Sequence, residues 1–384
     1  SHDREFSLSA PSGPTRGIFL SGTEAVGLGA LSGGVDFCTS YPMSPSTGVL
    51  AFLAEQAEKF DLVVEQATDE IGAANMSVGA SYAGARTIIT TSGGGFSLME
   101  EAVSLAAMTE TPLTIHIAQR PGPATGLPTR TAQEDLNLVR CAGGGEFARA
   151  IYAPGDGAEA FALTAKALET ADRFQIPTFV LTDQFLVDSL RTEKPADFPF
   201  RPSRREIVKT GVDYRRYDLS SPDGLSPRGV PGHGQGLVCA DSDEHDESGH
   251  ITEDLNLRKS MVEKRLARLS ALAAEAIAPT RFGPARAKKV LIVWGSNKHL
   301  AREAREEAGA DDLAVYHFSQ VYPLSPKWKR FFKNRKVFVL ENNATGQFAD
   351  LLRTERLVEN PEKILKYDGL PFFLEEAVSI IKKL

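Results

Sequence analysis

The chain has 384 residues, 42% of them hydrophobic and 24% charged, with a formal net charge of −7. That length accommodates two or three domains, and the composition is that of a globular protein, which excludes a disordered chain. The acidic balance argues against a nucleic-acid binder, and no apolar run approaches the roughly 18 residues needed to cross a membrane.

The chain opens Ser1-His2-Asp3 instead of with Met, and residues 1–17 read as a linker or the remnant of an upstream segment. From 18 to 195, small-residue helices alternate with short apolar strands. Ser21 and Glu24 have capping-box spacing and predict a helix to about Leu31. Ser44-Pro45 has the pattern of an N-cap followed by proline and predicts a helix to about Phe60. Val63-Val64 reads as a strand and Asp69–Ala83 as a helix dense in Gly, Ala and Ser. Thr87–Thr91 is a predicted strand, followed by a helix from Ser97 to Met108. Further on come a buried strand at Leu113–Ala118, a helix at Ala158–Arg173 and a strand at Thr178–Thr182. Repeated β–α alternation with apolar strands predicts a parallel sheet covered on both faces. Residues 196–285 differ in kind. Pro, Gly, Asp and Arg dominate 196–255, a linker expected to lie over other structure, and a charged amphipathic helix follows from Leu255 to Ile277. A second α/β unit, 286–384, starts at Lys289–Gly295 with further strands near 313–317 and 336–340, and has a Rossmann-like pattern. Cys38, Cys141 and Cys239 are too scattered for a disulfide framework or a metal knuckle, and the expected setting is cytoplasmic.

Residues 119–131, Gln-Arg-Pro-Gly-Pro-Ala-Thr-Gly-Leu-Pro-Thr-Arg-Thr, stand out. Their prolines and glycines forbid both helix and ladder, so the backbone must hold a fixed irregular path. The loop carries Arg120, Arg130, Thr125, Thr129 and Thr131, with no acid until Glu134. Guanidinium forks and hydroxyls at the carboxyl end of a strand suit a small anion. A solvated surface loop is the other reading.

Four segments together resemble one family, the α (pyrimidine-domain) subunit of thiamine-diphosphate-dependent 2-oxoacid:ferredoxin oxidoreductases. They are Tyr41-Pro42-Met43-Ser44-Pro45-Ser46, Asp69–Ala73, Thr91–Met99 and the loop 119–131. Glu244–Gly249, Glu341–Gln347 and Tyr367–Pro371 resemble later segments of the 2-oxoglutarate branch, so the likeness spans about residues 18–372. It implies a doubly wound parallel pyrimidine-type domain at 18–195 and a transketolase C-terminal-like domain at 286–384. It also implies coenzyme A-dependent oxidative decarboxylation of a 2-oxoacid with electrons passing to ferredoxin, a reaction that fixes carbon dioxide when reversed.

The resemblance assigns roles residue by residue. Glu70 corresponds to the glutamate that binds the aminopyrimidine ring of the cofactor and exchanges its proton, which requires burial. Glu65 and Asp69 are its nearest rivals, Asp69 being better placed as a helix cap; a first-turn acid complementing the helix dipole is the plain alternative for Glu70. Tyr41 and Pro42 fall in the cofactor-binding segment. Arg120 and Thr129 resemble the pair that holds the substrate carboxylate, with Arg130 in reserve. Ser44 stands where the family more often has threonine, so it keeps a hydroxyl for substrate, and N-cap duty is compatible with that. Gly93-Gly94-Gly95 replaces a usual Gly-Pro-Gly and predicts a more flexible loop.

Other features are expected to be decoys. Gly155-Asp156-Gly157 imitates the start of a magnesium–diphosphate motif, but Thr182-Asp183-Gln184 stands where its asparagine should follow, so it reads as a turn. Asp241, Asp243, Glu244, His245 and His250 could be drawn as a metal site, yet crowded acids in a polar linker pair with arginines or stay solvated. The diphosphate and its magnesium must then be bound elsewhere, and the resemblance places them, with a 4Fe-4S cluster, on a partner β subunit; it also implies a γ domain or subunit in the assembly. 2-Oxoglutarate is the leading substrate. Pyruvate or another 2-oxoacid, a non-catalytic pyrimidine-domain scaffold, and a self-contained thiamine enzyme are the competing readings.

Overall fold

The computed structural model describes residues 17–201 and 203–384, so the expected linker at 1–17 lies, Gly17 apart, outside the described residues. In chain order the strands are β1 (Ile18–Ser21), β2 (Phe37–Ser40), β3 (Val63–Gln66), β4 (Thr87–Thr91), β5 (Leu113–Gln119), β6 (Ala150–Tyr152) and β7 (Pro177–Asp183). They continue as β8 (Leu190–Glu193), β9 (Thr280–Phe282), β10 (Lys289–Trp294), β11 (Leu313–Phe318), β12 (Gln320–Tyr322), β13 (Lys336–Glu341) and β14 (Glu362–Leu365). A seven-stranded sheet runs β12-β6-β7-β5-β4-β2-β3, and a five-stranded sheet runs β14-β13-β10-β11-β9. In the first sheet every pair is parallel except β12 with β6; in the second, every pair except β9 with β11. Strands β4, β5 and β7 are buried along their whole length, as parallel strands covered on both faces must be. β1 and β8 form a separate antiparallel ribbon.

The order of the first sheet matters for function. The chain passes from β2 to β3 on one side, then returns to place β4 on the other side of β2. Ligands of open α/β sheets bind at such a reversal, beyond the carboxyl ends of the strands. Those ends lead directly into Tyr41–Ser44, Asp69-Glu70, Ser92–Gly95 and Arg120.

The two α/β units interlock. β12 comes from the second unit yet pairs with β6 at the edge of the first sheet, Gln320 opposite Tyr152. β9, within the expected linker, belongs to the second sheet. One apolar core joins them, with Ile115, Phe179 and Leu136 packed in the same cluster as Trp294, Phe318 and Phe348.

The irregular stretch after residue 197 is held by buried ions. Arg86 and Arg228, both nearly inaccessible, share Asp172 at 2.7 and 3.3 Å. The helix Leu255–Ala274 brings Lys264 and Arg268 onto the buried carboxylate of Glu110, and the Arg216 guanidinium donates to the Glu110 carbonyl at 2.6 Å.

Two local expectations need correction. The helix expected to open at Ser44-Pro45 begins at Thr47: Ser46, not Ser44, occupies the cap position, and its hydroxyl bonds back to the Met43 carbonyl at 2.7 Å, closing a turn first. The triple glycine is not a loop. Gly93–Phe96 is helical and continues through Ser97–Met99 into the helix Glu100–Met108.

Candidate active site

Glu70 is the first residue of the helix Glu70–Tyr82. Asp69 caps that helix, accepting from the Gly72 N–H at 2.7 Å. Of the three acids considered, Asp69 is thus occupied and exposed, Glu65 is exposed on β3, and only Glu70 is buried. Its Oε1 is buried with no hydrogen-bond partner among the described residues. An acceptor left so costs about 1–3 kcal/mol or more, so such groups have a reason to exist. The helical glycines explain how it fits. A Cβ on Gly95 would stand 2.7 Å from Glu70 Oε1 and 2.4 Å from Thr91 Oγ1. Only a bare α-carbon lets the carboxylate lie against that first turn.

Gly93 does the same on the other flank, where a Cβ would stand 2.2 Å from Asp135 Oδ1. Asp135 lies just beyond the loop 119–131 and in no motif. It precedes the helix Leu136–Cys141 but its side chain caps nothing, and its Oδ2 is buried without a partner among the described residues. Burial pushes its carboxyl up to about 7, Glu134 adding to the rise and Arg120 opposing it. The only sequence signal was an acid just past an anion-suited loop. Because the fold raises this carboxyl, its contribution to stability is complete below its ordinary value near 4 and is lost as pH climbs through about 7. We expect Asp135→Asn to melt higher than the parent at pH 8, by a few kcal/mol in stability, with the gap closing toward pH 4. A pH-independent gap would contradict the assignment.

Arg120 follows β5 directly. Its Nη1 donates to the Ser44 carbonyl at 2.6 Å, while its Nε is buried and unpartnered among the described residues. The fold thereby brings Arg120 and Ser44 together from separate strand ends, leaving the Ser44 side chain exposed. Tyr41 is exposed and Pro42 half-buried on the same turn. A polar thread supports that turn from within the sheet: Thr90 Oγ1 donates to the Ser46 carbonyl and shares a 2.8 Å bond with His116, whose other ring nitrogen meets Thr182 Oγ1 at 2.8 Å. Burial lowers His116 to about 3, so it stays neutral. Thr129 is not joined to this group. It is exposed on the loop, and its hydroxyl has no hydrogen-bond partner among the described residues. Arg130 turns away, its side chain standing over Gly369 in the second unit.

The decoys are occupied elsewhere. Asp156 caps the helix Gly157–Phe174 and accepts from Lys298 at 2.5 Å and His299 at 2.8 Å. Glu244 is held by Arg258 and Arg265, and His245 is buried against the Tyr217 ring. No helix among the described residues is long and apolar enough to cross a membrane.

Residues 28–264, more than half of the chain, match the family model described as pyruvate flavodoxin/ferredoxin oxidoreductase, thiamine diphosphate-binding. The chain belongs to this family. It is 34% identical over 405 residues to the 2-oxoacid:ferredoxin oxidoreductase 1 α subunit of Sulfurisphaera tokodaii, a match covering 99% of this chain and 64% of that one. With the 2-oxoglutarate synthase subunit KorA of Methanocaldococcus jannaschii it shares 28% identity, over 94% of this chain and 98% of the relative. The chain therefore spans less than two thirds of its longer archaeal relatives. Among solved structures it superposes on the 2-oxoglutarate:ferredoxin oxidoreductase of Magnetococcus marinus, with 2-oxoglutarate, coenzyme A and succinyl-CoA bound there. The TM-score is 0.91 at 31% identity, covering all of this chain and 68% of that one. A split-gene transketolase gives a TM-score of 0.52 at 14% identity, a likeness of fold alone. The α/β architecture expected from sequence, a thiamine-type parallel sheet followed by a Rossmann-like unit, is thus the observed one.

Proposed function

We propose that this chain is the α subunit of a 2-oxoacid:ferredoxin oxidoreductase and provides the pyrimidine side of its active site, with 2-oxoglutarate as the substrate. The observation that carries this reading is Glu70: a buried carboxylate with an unpartnered oxygen, seated at a strand-order reversal against a glycine that makes room for it. A ring nitrogen able to take part in that missing hydrogen bond fits the vacancy in Glu70's bonding, so the residues suit thiamine diphosphate. When bound, that cofactor supplies a nucleophilic carbon and an electron sink. Glu70 holds and exchanges the proton at the pyrimidine ring. Tyr41 and Pro42 form the adjacent wall. Arg120 binds the substrate carboxylate by charge, and the Ser44 hydroxyl, brought beside it by the Arg120–Ser44 bond, orients the substrate. Thr129 joins them only if the loop 119–131 closes on the substrate.

The remaining chemistry belongs to partners. The acid that imitates a magnesium motif, Asp156, is consumed by Lys298 and His299, which supports a β subunit as the source of the diphosphate and magnesium contacts; in this reading the same subunit carries a 4Fe-4S cluster. Coenzyme A is the acyl acceptor, ferredoxin the electron carrier, and a γ domain or subunit completes the assembly. The names of the relatives support this division, being those of subunits. The 2-oxoglutarate named in the Magnetococcus structure and the KorA relatives favour that substrate over pyruvate.

A panel of 2-oxoacids, tested on the assembled enzyme by reduction of a viologen dye, decides the substrate; no activity on 2-oxoglutarate would remove it. Arg120→Met should raise the KM for the 2-oxoacid about 10- to 100-fold, the loss of one charged hydrogen bond, with a smaller change in kcat. An unchanged KM would reject Arg120 as the carboxylate ligand.

A further inference from the structure

The segments Glu341–Gln347 and Tyr367–Pro371 have no part in the site described so far, yet both converge on the residues that follow the arginine loop. Gln133 is the centre of that contact and is almost wholly buried. Its backbone N–H donates to the Asn342 carbonyl at 2.7 Å, and its carbonyl accepts from Asn343 Nδ2 at 3.0 Å. Its side-chain oxygen accepts from the Asn342 N–H at 3.0 Å and Asn297 Nδ2 at 3.1 Å, while its Nε2 donates to the Trp294 carbonyl at 2.9 Å. Every polar group of Gln133 is thus committed to the second unit. The neighbours repeat the pattern: the Thr131 N–H donates to the Gly369 carbonyl at 3.1 Å, and Gln347 receives from the Asn137 N–H at 2.8 Å while donating to the Glu134 carbonyl at 2.7 Å.

On its other side the same segment grips the loop. Glu134 Oε2 accepts from the Gly122 N–H at 2.9 Å, and the Asp135 N–H donates to Gln119 Oε1 at 3.1 Å. Gln119 and Gly122 bracket Arg120. The path from the second unit to the residues flanking Arg120 is therefore made of hydrogen bonds, buried around Gln133, part-buried at Gln119 and exposed at Gly122, and a fully satisfied buried network such as that of Gln133 fixes position.

We propose that Gln133, with Gln347 behind it, is a positioning residue through which the C-terminal unit sets the place of Arg120 and hence the affinity for the 2-oxoacid carboxylate. This rests on the reading of Arg120 given above. The test uses the assembled enzyme carrying Gln133→Leu, Gln347→Ala or Arg120→Met. Both glutamine variants should speed amide hydrogen exchange at residues 120–131 and raise the KM for the 2-oxoacid about tenfold, the loss of one or two hydrogen bonds, while kcat stays within about twofold. Gln347 is only half-buried, so its variant decides the matter alone should Gln133→Leu fail to assemble. Unchanged exchange in the loop overturns the proposal, as does faster exchange with an unchanged KM. If Arg120→Met raises KM and the glutamine variants do not, the proposal fails while the reading of Arg120 stands. If Arg120→Met leaves KM unchanged, that reading fails first.

Discussion

Glu70→Gln is expected to lower turnover about 10²- to 10⁴-fold, the range of a lost general acid–base group, while the protein still folds and assembles. Glutamine has the length and volume of glutamate, so it keeps the packing against Gly95 and Thr91. It cannot take up and return a proton. Replacing a buried, unpartnered carboxylate oxygen by a neutral group also removes a desolvation cost, so the variant should melt at the parent's temperature or above it. Function and stability then move in opposite directions, which separates this residue from an ordinary helix-start acid: losing a dipole interaction would weaken the fold slightly and spare activity. Dye-linked assays and thermal melts on the same preparation decide between them. Surviving activity would end the proposed role.

Glu110→Ala should be the most damaging single change to stability, costing about 5 kcal/mol, the upper end for breaking a buried ion pair. Glu110 is inaccessible and accepts from Lys264 through both oxygens, at 2.7 and 2.6 Å, as well as from Arg268. Its removal strands two buried cations. Burial alone would raise this carboxyl, but Arg268, Lys264 and Arg216 bring it down to about 2. A carboxyl held below its ordinary value stabilises above that value and loses the contribution as pH falls through the folded one. The parent should therefore lose stability between about pH 4.5 and 2 in a step that Glu110→Ala lacks. Denaturant titrations across that interval measure both effects. Adding Lys264→Met to the variant should recover part of the loss, because one stranded charge goes with it.

The parts of the fold written in local chemistry were legible in the sequence. The β-branched run Thr87–Thr91 and the apolar run Leu113–Ala118 read as strands and are buried parallel strands, and Ser21 with Glu24 spelled out a capping box that forms as expected. Asp69 was correctly separated from Glu70 as the helix cap, and the burial that the motif requires falls on Glu70. What depended on distant residues was hidden. Three consecutive glycines suggest a loop, but here they form a helical turn whose missing Cβ atoms leave room for Glu70 and Asp135. Ser44 looked like a cap because Pro45 follows it, while the cap position belongs to Ser46, set by a turn that closes on Met43. The choice between Arg120 and Arg130 rests on which one meets Ser44 across the sheet. Asp135 stood outside every motif, and only the tertiary fold shows it facing Gly93. Nothing in a three-residue stretch such as Gln320–Tyr322 announced that it would leave its own unit to pair with β6.

That pairing has a consequence for how the chain is made. A ribosome delivers the whole Glu70–Arg120 side of the site early, yet the edge beside β6 stays uncovered until Tyr322 has emerged. The first sheet is thus finished by a late-arriving piece of chain, and through that interval an open row of backbone donors and acceptors waits for its partner. Birth order and spatial order run against each other here: the sheet beside Glu70 and Arg120 gains its last edge strand from the second unit.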